Sequence, residues 1–382
     1  MTPNNRIYLD NAATSFPKAP GIADEIRDFI ERSCTNINRT SGASEYPIFE
    51  KIYSLRQNIA RLVNLSTPES VCFSSGVTES LNLIIKGICE PGDHIIVSAA
   101  EHNSVMRPIV QLGLNFSRIP CNRQGYILLD HIAPLVRPTT KAILICAAGN
   151  VSGAIQDIPR LARLATTLRL PLFLDAAQAL PHVQLDMDNW NLAGIIFSGH
   201  KGLLGPEATG GAALRKDIAA KITPLISGGT GSQSDSEGIP TTLPDRLEAG
   251  TQNIPGLLAL AKSVEFVLKN KEELYAQEQR MTALLYTGLS EIPGIQLVGA
   301  PLDGPRTSVI SITSSQKDIA EIASSLCDRY SVETRVGLHC SPSSHKTLGT
   351  FPTGTLRFSP GPFTTQEQIQ TTLRAVKEIL DE

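Results

Sequence analysis

The chain has 382 residues, 41% of them hydrophobic and 19% charged, with a formal net charge of −3. At about 100–200 residues per domain, this length suggests two or three domains with sizeable cores, and the composition is that of an ordinary globular protein. The charge balance and the lack of a dense basic patch argue against nucleic acid or an anionic membrane as a partner, and no apolar run reaches the roughly 18 residues needed to span a bilayer.

The opening Met1-Thr2-Pro3-Asn4-Asn5-Arg6 has no basic region followed by an apolar stretch, so a cytoplasmic protein is expected. Ile7 to Thr14 reads as a short strand running into a polar turn. Residues 20–33 and 46–64 carry apolar positions at helical spacing, with a break at Gly42 and Ser44. Val71-Cys72-Phe73-Ser74 then reads as a strand, and Ser75-Gly76-Val77-Thr78 as a small-residue turn before a helix. Free N–H groups at such a helix start, with the Ser75 and Thr78 hydroxyls, form a phosphate seat. The plainer alternative is a capping turn served by Thr78.

Further apolar runs follow at residues 94–98, 142–146 and 172–174, with a helical segment at 158–168 between the last two. They end at Glu101-His102-Asn103, at Gly149-Asn150-Val151-Ser152-Gly153 and at Asp175-Ala176-Ala177-Gln178. The run Ala193 to Phe197 ends at Ser198-Gly199-His200-Lys201-Gly202, which puts Lys201 on a tight turn just past a strand. A lysine there is either held against a cofactor or exposed to water. The β-then-α rhythm predicts a mostly parallel sheet covered on both faces, and open sheets of this kind bind ligands at the carboxyl ends of their strands. Ser75, Thr78, His102, Asn150, Asp175, Gln178, Ser198, His200 and Lys201 would all gather on that rim. Five independent caps do not account for such a set.

The stretch 227–238 looks the most flexible and leads to Glu248-Ala249-Gly250-Thr251. A long helix over 256–290 connects to a second region, with strands near 296–299 and 307–313 and helices over 317–329 and 366–380. The seven cysteines include no CxxC pair, so neither a disulfide framework nor a metal site is expected. Cys72, Cys89 and Cys146 lie in apolar runs, as small core residues do. Cys340 sits instead in a polar loop with Arg335, His339 and His345, cations or potential cations that would lower a nucleophilic thiol's pKa if they face it.

The rim meets the needs of pyridoxal phosphate. Its aldehyde requires an amine, for which Lys201 is placed, and its ring nitrogen an acidic partner such as Asp175. Its phosphate wants backbone amides and hydroxyls, from Ser75 to Thr78, Ser198 and His200. His102 is left to stack on the ring, with Asn150 and Gln178 to contact its phenolic oxygen.

The same residues carry a resemblance. Tyr8-Leu9-Asp10-Asn11-Ala12-Ala13, Gly76-Val77-Thr78-Glu79, Glu101-His102-Asn103, Asn150-Val151-Ser152-Gly153, Asp175-Ala176-Ala177-Gln178, Ser198-Gly199-His200-Lys201, Glu248-Ala249-Gly250-Thr251 and Arg335-Val336-Gly337-Leu338-His339-Cys340 are similar to the aminotransferase class V family of fold-type I pyridoxal-phosphate enzymes. Within it they resemble the cysteine desulfurase and selenocysteine lyase group, with a short lead-in to Cys340 like that of group II. The resemblance implies an α/β fold: a large domain (18–260) with a mostly parallel seven-stranded sheet and a smaller α+β C-terminal domain (261–382), to which residues 1–17 attach.

It also implies roles. Lys201, Cys340 and His102 are the catalytic residues, and Ser75, Gly76, Val77, Thr78, Asn150, Asp175, Gln178, Ser198 and His200 join Lys201 and His102 in holding the cofactor. Thr251 reaches the phosphate of a neighbouring subunit, which implies a homodimer with shared sites. Arg357 fixes the substrate carboxylate, with Asn11, Ala13 and Asn150 beside the substrate. Cys340 takes sulfur from L-cysteine as a persulfide, leaving alanine, and a sulfur-acceptor protein is a further possible partner. Two other readings keep the scaffold: a carbon–sulfur or carbon–selenium lyase that dispenses with Cys340, and a catalytically idle partner protein.

Overall fold

The computed structural model describes residues 6–35, 45–233 and 235–382. The break at Gly42 and Ser44, the first five residues, and Ser234 within the stretch 227–238 lie outside them. After the two-residue strand β1 (Ile7–Tyr8), seven strands form the larger sheet: β2 (Val71–Ser74), β3 (His94–Ser98), β4 (Asn115–Ile119), β5 (Thr140–Cys146), β6 (Leu172–Asp175), β7 (Gly194–Ser198) and β8 (Gly210–Leu214). Their order is β2-β8-β7-β6-β5-β3-β4. β4, β3, β5, β6 and β7 pair in parallel, and β8 runs antiparallel between β2 and β7.

Alternation along each strand divides its side chains between two cores. Ile96, Ile143, Ile145 and Ile195 face one core, closed by α2 (Glu45–Leu62), α5 (Ile158–Thr167) and the first turns of α7 (Ile254–Ser290). Ile95, Val97, Leu144 and Ile196 face the other, under α3 (Val77–Ile88) and α4 (Asn103–Gln111). Because both faces are covered, the parallel strands read as near-continuous apolar runs rather than alternating ones. Two shorter helices add apolar contacts: α1 (Ile22–Asp28), which passes into a π-helical turn at Phe29–Ser33, packs Ile22 with Ala259 and Val267 of α7, and α6 (Lys216–Ala219) places Ile218 and Ala219 in the second core.

The 37-residue α7 joins the two halves of the molecule. Leu257, Leu260 and Val264 lie in the core of the larger sheet, whereas Met281, Leu285 and Leu289 pack with a four-stranded antiparallel sheet. That sheet has the order β12-β13-β10-β9, formed by β9 (Ile295–Val298), β10 (Ile310–Ser314), β12 (Arg335–Gly337) and β13 (Thr355–Phe358). It is backed by α8 (Ile319–Tyr330) and α10 (Gln366–Asp381), whose N-terminus carries a full capping box of Thr365 and Gln368. β1 pairs in parallel with β11 (Val332–Glu333), and Asp10 bridges Ser359, so the N-terminal segment is tied to this half. No helix among the described residues is long and apolar enough to cross a membrane.

Most expected elements lie within three residues of the observed bounds, but the short α6, the helices α4 and α9 (Pro342–Leu348) and the strands β4, β8, β11, β12 and β13 were not anticipated. β8 contains Gly210-Gly211 because no Cβ fits there. One on Gly210 would lie 2.7 Å from the Phe197 carbonyl oxygen and 2.8 Å from Gly76 Cα, and one on Gly211 only 2.2 Å from the Cys72 carbonyl oxygen. The strand expected from 307 starts at Ile310 instead. Its lead-in wraps around the buried Arg306 guanidinium, which donates to the carbonyls of Ala300, Thr307 and Val309.

Candidate active site

The carboxyl ends of β3, β5, β6 and β7 and the start of α3 converge on a cavity of about 320 Å³. Ser75, Gly76, Val77, Thr78, His102, Asn150, Asp175, Gln178, Ser198, His200 and Lys201 all line it, with Ala13 and Arg357. Three expected residues do not. Asn11 lines an adjoining cavity of about 40 Å³ that also reaches Lys201 and Gln178. The exposed Thr251 lines a separate one of about 260 Å³, beyond the Ser75–Glu79 turn. Cys340 is exposed, while Arg335 and His339 beside it line the main cavity.

The floor is a set of buried ionisable groups. Lys201 follows β7, and burial lowers its ammonium pKa to about 8, with Asp175 acting in the opposite direction and Arg357 and Arg335 adding to the fall. A free amine is therefore accessible near neutral pH, as a nucleophile for a carbonyl requires. Asp175 ends β6; burial raises its pKa, against which the Ala177 N–H, 2.9 Å from Oδ1, and the Lys201 charge both work. A cationic group in the cavity would relieve the same strain.

His102 is the N-cap of α4. Its Nδ1 accepts the Ser104 N–H at 3.0 Å, which leaves the proton on Nε2, and burial with four nearby cations lowers its pKa to about 4. A neutral, rotationally fixed imidazole results, suited to stacking on a flat ring. His200 is likewise lowered to about 4, chiefly by burial, and its Nδ1 pairs with Thr14 Oγ1 at 2.9 Å.

Thr78 does not cap α3. The cap is Gly76, at φ 143° and without a side-chain hydrogen bond, which puts Thr78 in the first turn. Glu79 instead reaches back, its carboxylate accepting the Ser75 N–H at 2.7 Å and the Ser75 hydroxyl. The first N–H groups of this 12-residue helix have no intrahelical acceptor, so the turn remains an anion seat. Across from it the Ser198 hydroxyl is buried with no hydrogen-bond partner. An orphaned buried donor beside a helix N-terminus fits a phosphate or similar anion.

On the opposite wall Arg357, 1% exposed, donates to Asp10 Oδ1 at 2.6 Å and to the Asn150 carbonyl at 3.1 Å, while its Nε is unpaired. Asn150 in turn donates from Nδ2 to the His339 carbonyl and accepts at Oδ1 from Ser341 Oγ, both at 2.8 Å. Gln178 donates to the Ala12 carbonyl at 2.8 Å, holding the N-terminal segment over the cavity. Arg335 Nη2 lies 3.7 Å from Cys340 Sγ. His345, by contrast, faces Thr350.

Three groups at this site had no role in the sequence reading: Asp10, Glu101 and Ser341. Asp10 and Glu101 stood inside matched motifs, so a signal existed. Ser341 carried none, because only the fold brings it to Asn150.

A profile of the family described as Aminotransferase class-V matches residues 7–372. Among curated proteins the chain is 26% identical to cysteine desulfurase CsdA of Escherichia coli (strain K12), covering 98% of this chain and 94% of that one. It is 29% identical to a probable cysteine desulfurase of Staphylococcus aureus (strain Mu50), covering 97% and 91%. Among solved structures, the apo cysteine desulfurase from Thermococcus onnurineus NA1 superposes with a TM-score of 0.90 at 25% identity, covering 99% of this chain and 95% of that one.

Proposed function

The chain belongs to the aminotransferase class-V family, and from that premise we propose that it is a pyridoxal-phosphate-dependent cysteine desulfurase. The observation that carries this reading is the meeting of two kinds of chemistry: the cavity holding Lys201 and Asp175 is walled by Arg335 and His339, the neighbours of an exposed thiol, Cys340.

The donor set fits the cofactor. Lys201 supplies the amine for its aldehyde, Asp175 an acceptor for its ring N–H, and His102 a neutral face for its ring. Ser198 and the Ser75–Thr78 turn suit its phosphate, and Gln178 and Asn150 its phenolic oxygen. When bound, pyridoxal phosphate supplies an electron sink for the substrate's Cα.

The remaining work falls to side chains. Arg357 binds the substrate carboxylate with the part of its fork that Asp10 leaves free, with Asn11 and Ala13 beside the amino acid. The Lys201 amine, its pKa lowered to about 8 by burial, would carry the Cα proton. The Cys340 sulfur then attacks the substrate sulfur. An S–S bond forms as the Cβ–S bond breaks, and the bonding pair stays with Cβ, which is protonated to give alanine. Sulfur remains on Cys340 as a persulfide, and no outside oxidant or reductant is needed.

The reading includes a homodimer in which the exposed Thr251 serves the phosphate of a second copy, a cytoplasmic location, and an acceptor protein for the persulfide sulfur. It keeps a large unit (18–260) and a smaller one (261–382) to which residues 1–17 attach, with α7 as the link.

Cys340→Ala is the test. The variant should retain its cofactor and yellow colour yet lose at least about 100-fold in alanine formation from L-cysteine, a lower bound well short of the losses that follow removal of a catalytic nucleophile. Full sulfide release by the variant would favour a lyase and remove the persulfide role.

A further inference from the structure

We propose that Asn150 is the positioning residue for the nucleophilic thiol, a clamp that fixes the Cys340 loop and links it to the cofactor cavity. The inference rests on the reading of Cys340 as the sulfur-accepting group.

The loop has an uncommon backbone. His339 and Cys340 both adopt left-handed conformations, at φ 47° and 58°. A non-glycine residue pays about 1 kcal/mol or more for this region. Here His339 and Cys340 are the two central residues of a turn closed by the Ser341 N–H on the Leu338 carbonyl at 2.8 Å, and contacts from outside the turn fix it in place.

Those contacts are present, one for each residue. The His339 carbonyl accepts from Asn150 Nδ2 at 2.8 Å, the Cys340 carbonyl accepts from the Asn103 N–H at 2.8 Å, and the Ser341 hydroxyl donates to Asn150 Oδ1 at 2.8 Å. One carboxamide therefore brackets the cysteine on both sides. Beyond it, Ser344 Oγ anchors the start of α9 to the Ala100 carbonyl at 3.0 Å. The thiol is thus held 3.7 Å from Arg335 even though it is exposed.

An amide suits this double role. It offers a donor and an acceptor on one planar group, whereas a carboxylate would face the His339 carbonyl with a second acceptor. Two of its hydrogen-bonding positions are spent on the loop. A second Nδ2 hydrogen remains on a side chain that lines the cavity, and the Asn150 carbonyl accepts from Arg357 at 3.1 Å. The thiol loop, the cofactor cavity and the arginine for the substrate carboxylate therefore meet at one residue.

The experiment compares Ser341→Ala, Asn150→Asp and the double variant as holoenzymes, in two reactions. One is persulfide formation on Cys340 from L-cysteine, read by alkylation and mass spectrometry. The other is chloride elimination from 3-chloro-L-alanine, which needs the cofactor and Lys201 but no thiol. Ser341→Ala should slow persulfide formation about tenfold, the worth of one hydrogen bond at the upper end of its range, and leave elimination within about twofold. Adding it to Asn150→Asp should cost less than about twofold more, because both break the same tie.

In the cofactor-free protein, amide exchange across residues 338–342 should quicken in both single variants, a readout that does not depend on activity. Unchanged persulfide formation and unchanged exchange in Ser341→Ala overturn the clamp, as do fully multiplicative effects in the double variant. An equal fall in both reactions assigns Ser341 a general structural role and overturns it too. If Cys340→Ala keeps full sulfide release, the desulfurase reading itself fails; a dead Cys340→Ala beside an unaffected Ser341→Ala removes the clamp alone.

Discussion

The floor of the cavity and the Cys340 loop solve opposite problems. The floor is rigid, made of strand ends whose residues are buried throughout β6 and β7, and it holds groups at odds with their surroundings: an ammonium lowered to about 8, a carboxylate raised by burial, and a hydroxyl with no partner. The loop carries one exposed residue, Cys340, between the buried His339 and Ser341, and it is strained in its backbone, yet its hydrogen bonds to Asn150, Asn103 and Ala100 hold it. The floor keeps an unpaired hydroxyl on Ser198 and a raised carboxyl on Asp175. The loop is finished by its own chain, which suits a group that must be presented to a substrate rather than filled by one.

The most damaging way to test this contrast is to remove the floor's amine. Lys201→Ala should abolish the yellow colour and weaken cofactor retention by about 1,000-fold or more, since covalent attachment and the amine's charge are lost together. Melting of the cofactor-free variant should be no lower than that of the parent, because a buried ammonium has been removed along with its desolvation cost. Absorbance after gel filtration and a thermal melt measure the two. A variant that still holds the cofactor at parental affinity would refute the assignment of Lys201.

The same contrast explains what was legible in the sequence. The floor could be read because each of its groups follows an apolar run, and a parallel sheet sends all such strand ends to one edge. His102, Asn150, Asp175, Ser198 and Lys201 were therefore placed together from the chain alone. β8 was illegible because its glycines follow from backbone packing against Phe197, Gly76 and Cys72, contacts of long range with no local signature. α4 was missed because its N-cap is a histidine and it contains Pro108, both unusual in helices. The thiol loop was legible as chemistry, through Cys340 beside Arg335, but not as structure. His345 was an expected neighbour that turns to Thr350 instead, and the clamp spans about 190 residues of chain.

Beneath the floor, Glu101 sharpens the comparison. Its carboxyl is 1% exposed, with Oε1 accepting N–H groups from Ser98 at 3.2 Å and Cys146 at 3.0 Å and Oε2 unpaired. It thereby ties the ends of β3 and β5, from which His102 and Asn150 follow. Burial raises its pKa to about 7, and the Asp175 charge acts in the same direction. The folded state thus keeps this proton up to about pH 7, whereas an unfolded glutamate loses it near 4.5. Stability from this group is present at low pH and is lost as pH rises between those values. Glu101→Gln should therefore flatten the decline by roughly 2 kcal/mol between pH 5 and 8, measured by denaturant unfolding of the cofactor-free protein. Parallel pH profiles for the variant and parent would contradict the raised pKa.

The smallest expected effect is the one that separates the two regions most directly. Ser198 Oγ is buried and unpaired, and a buried hydroxyl without a partner costs about 1 kcal/mol or more relative to a hydrogen atom in its place. Ser198→Ala should therefore stabilise the cofactor-free protein by about 1 kcal/mol and weaken cofactor binding by roughly tenfold, the loss of one charge-assisted hydrogen bond to an anion. The opposite signs matter more than the sizes. Ser341→Ala, at a hydroxyl already paired to Asn150, should lower stability without weakening cofactor retention. Unfolding and cofactor titration of both variants decide it: if Ser198→Ala also destabilises the cofactor-free protein, the hydroxyl already has a partner inside the fold, and the floor is not waiting for a ligand at that position.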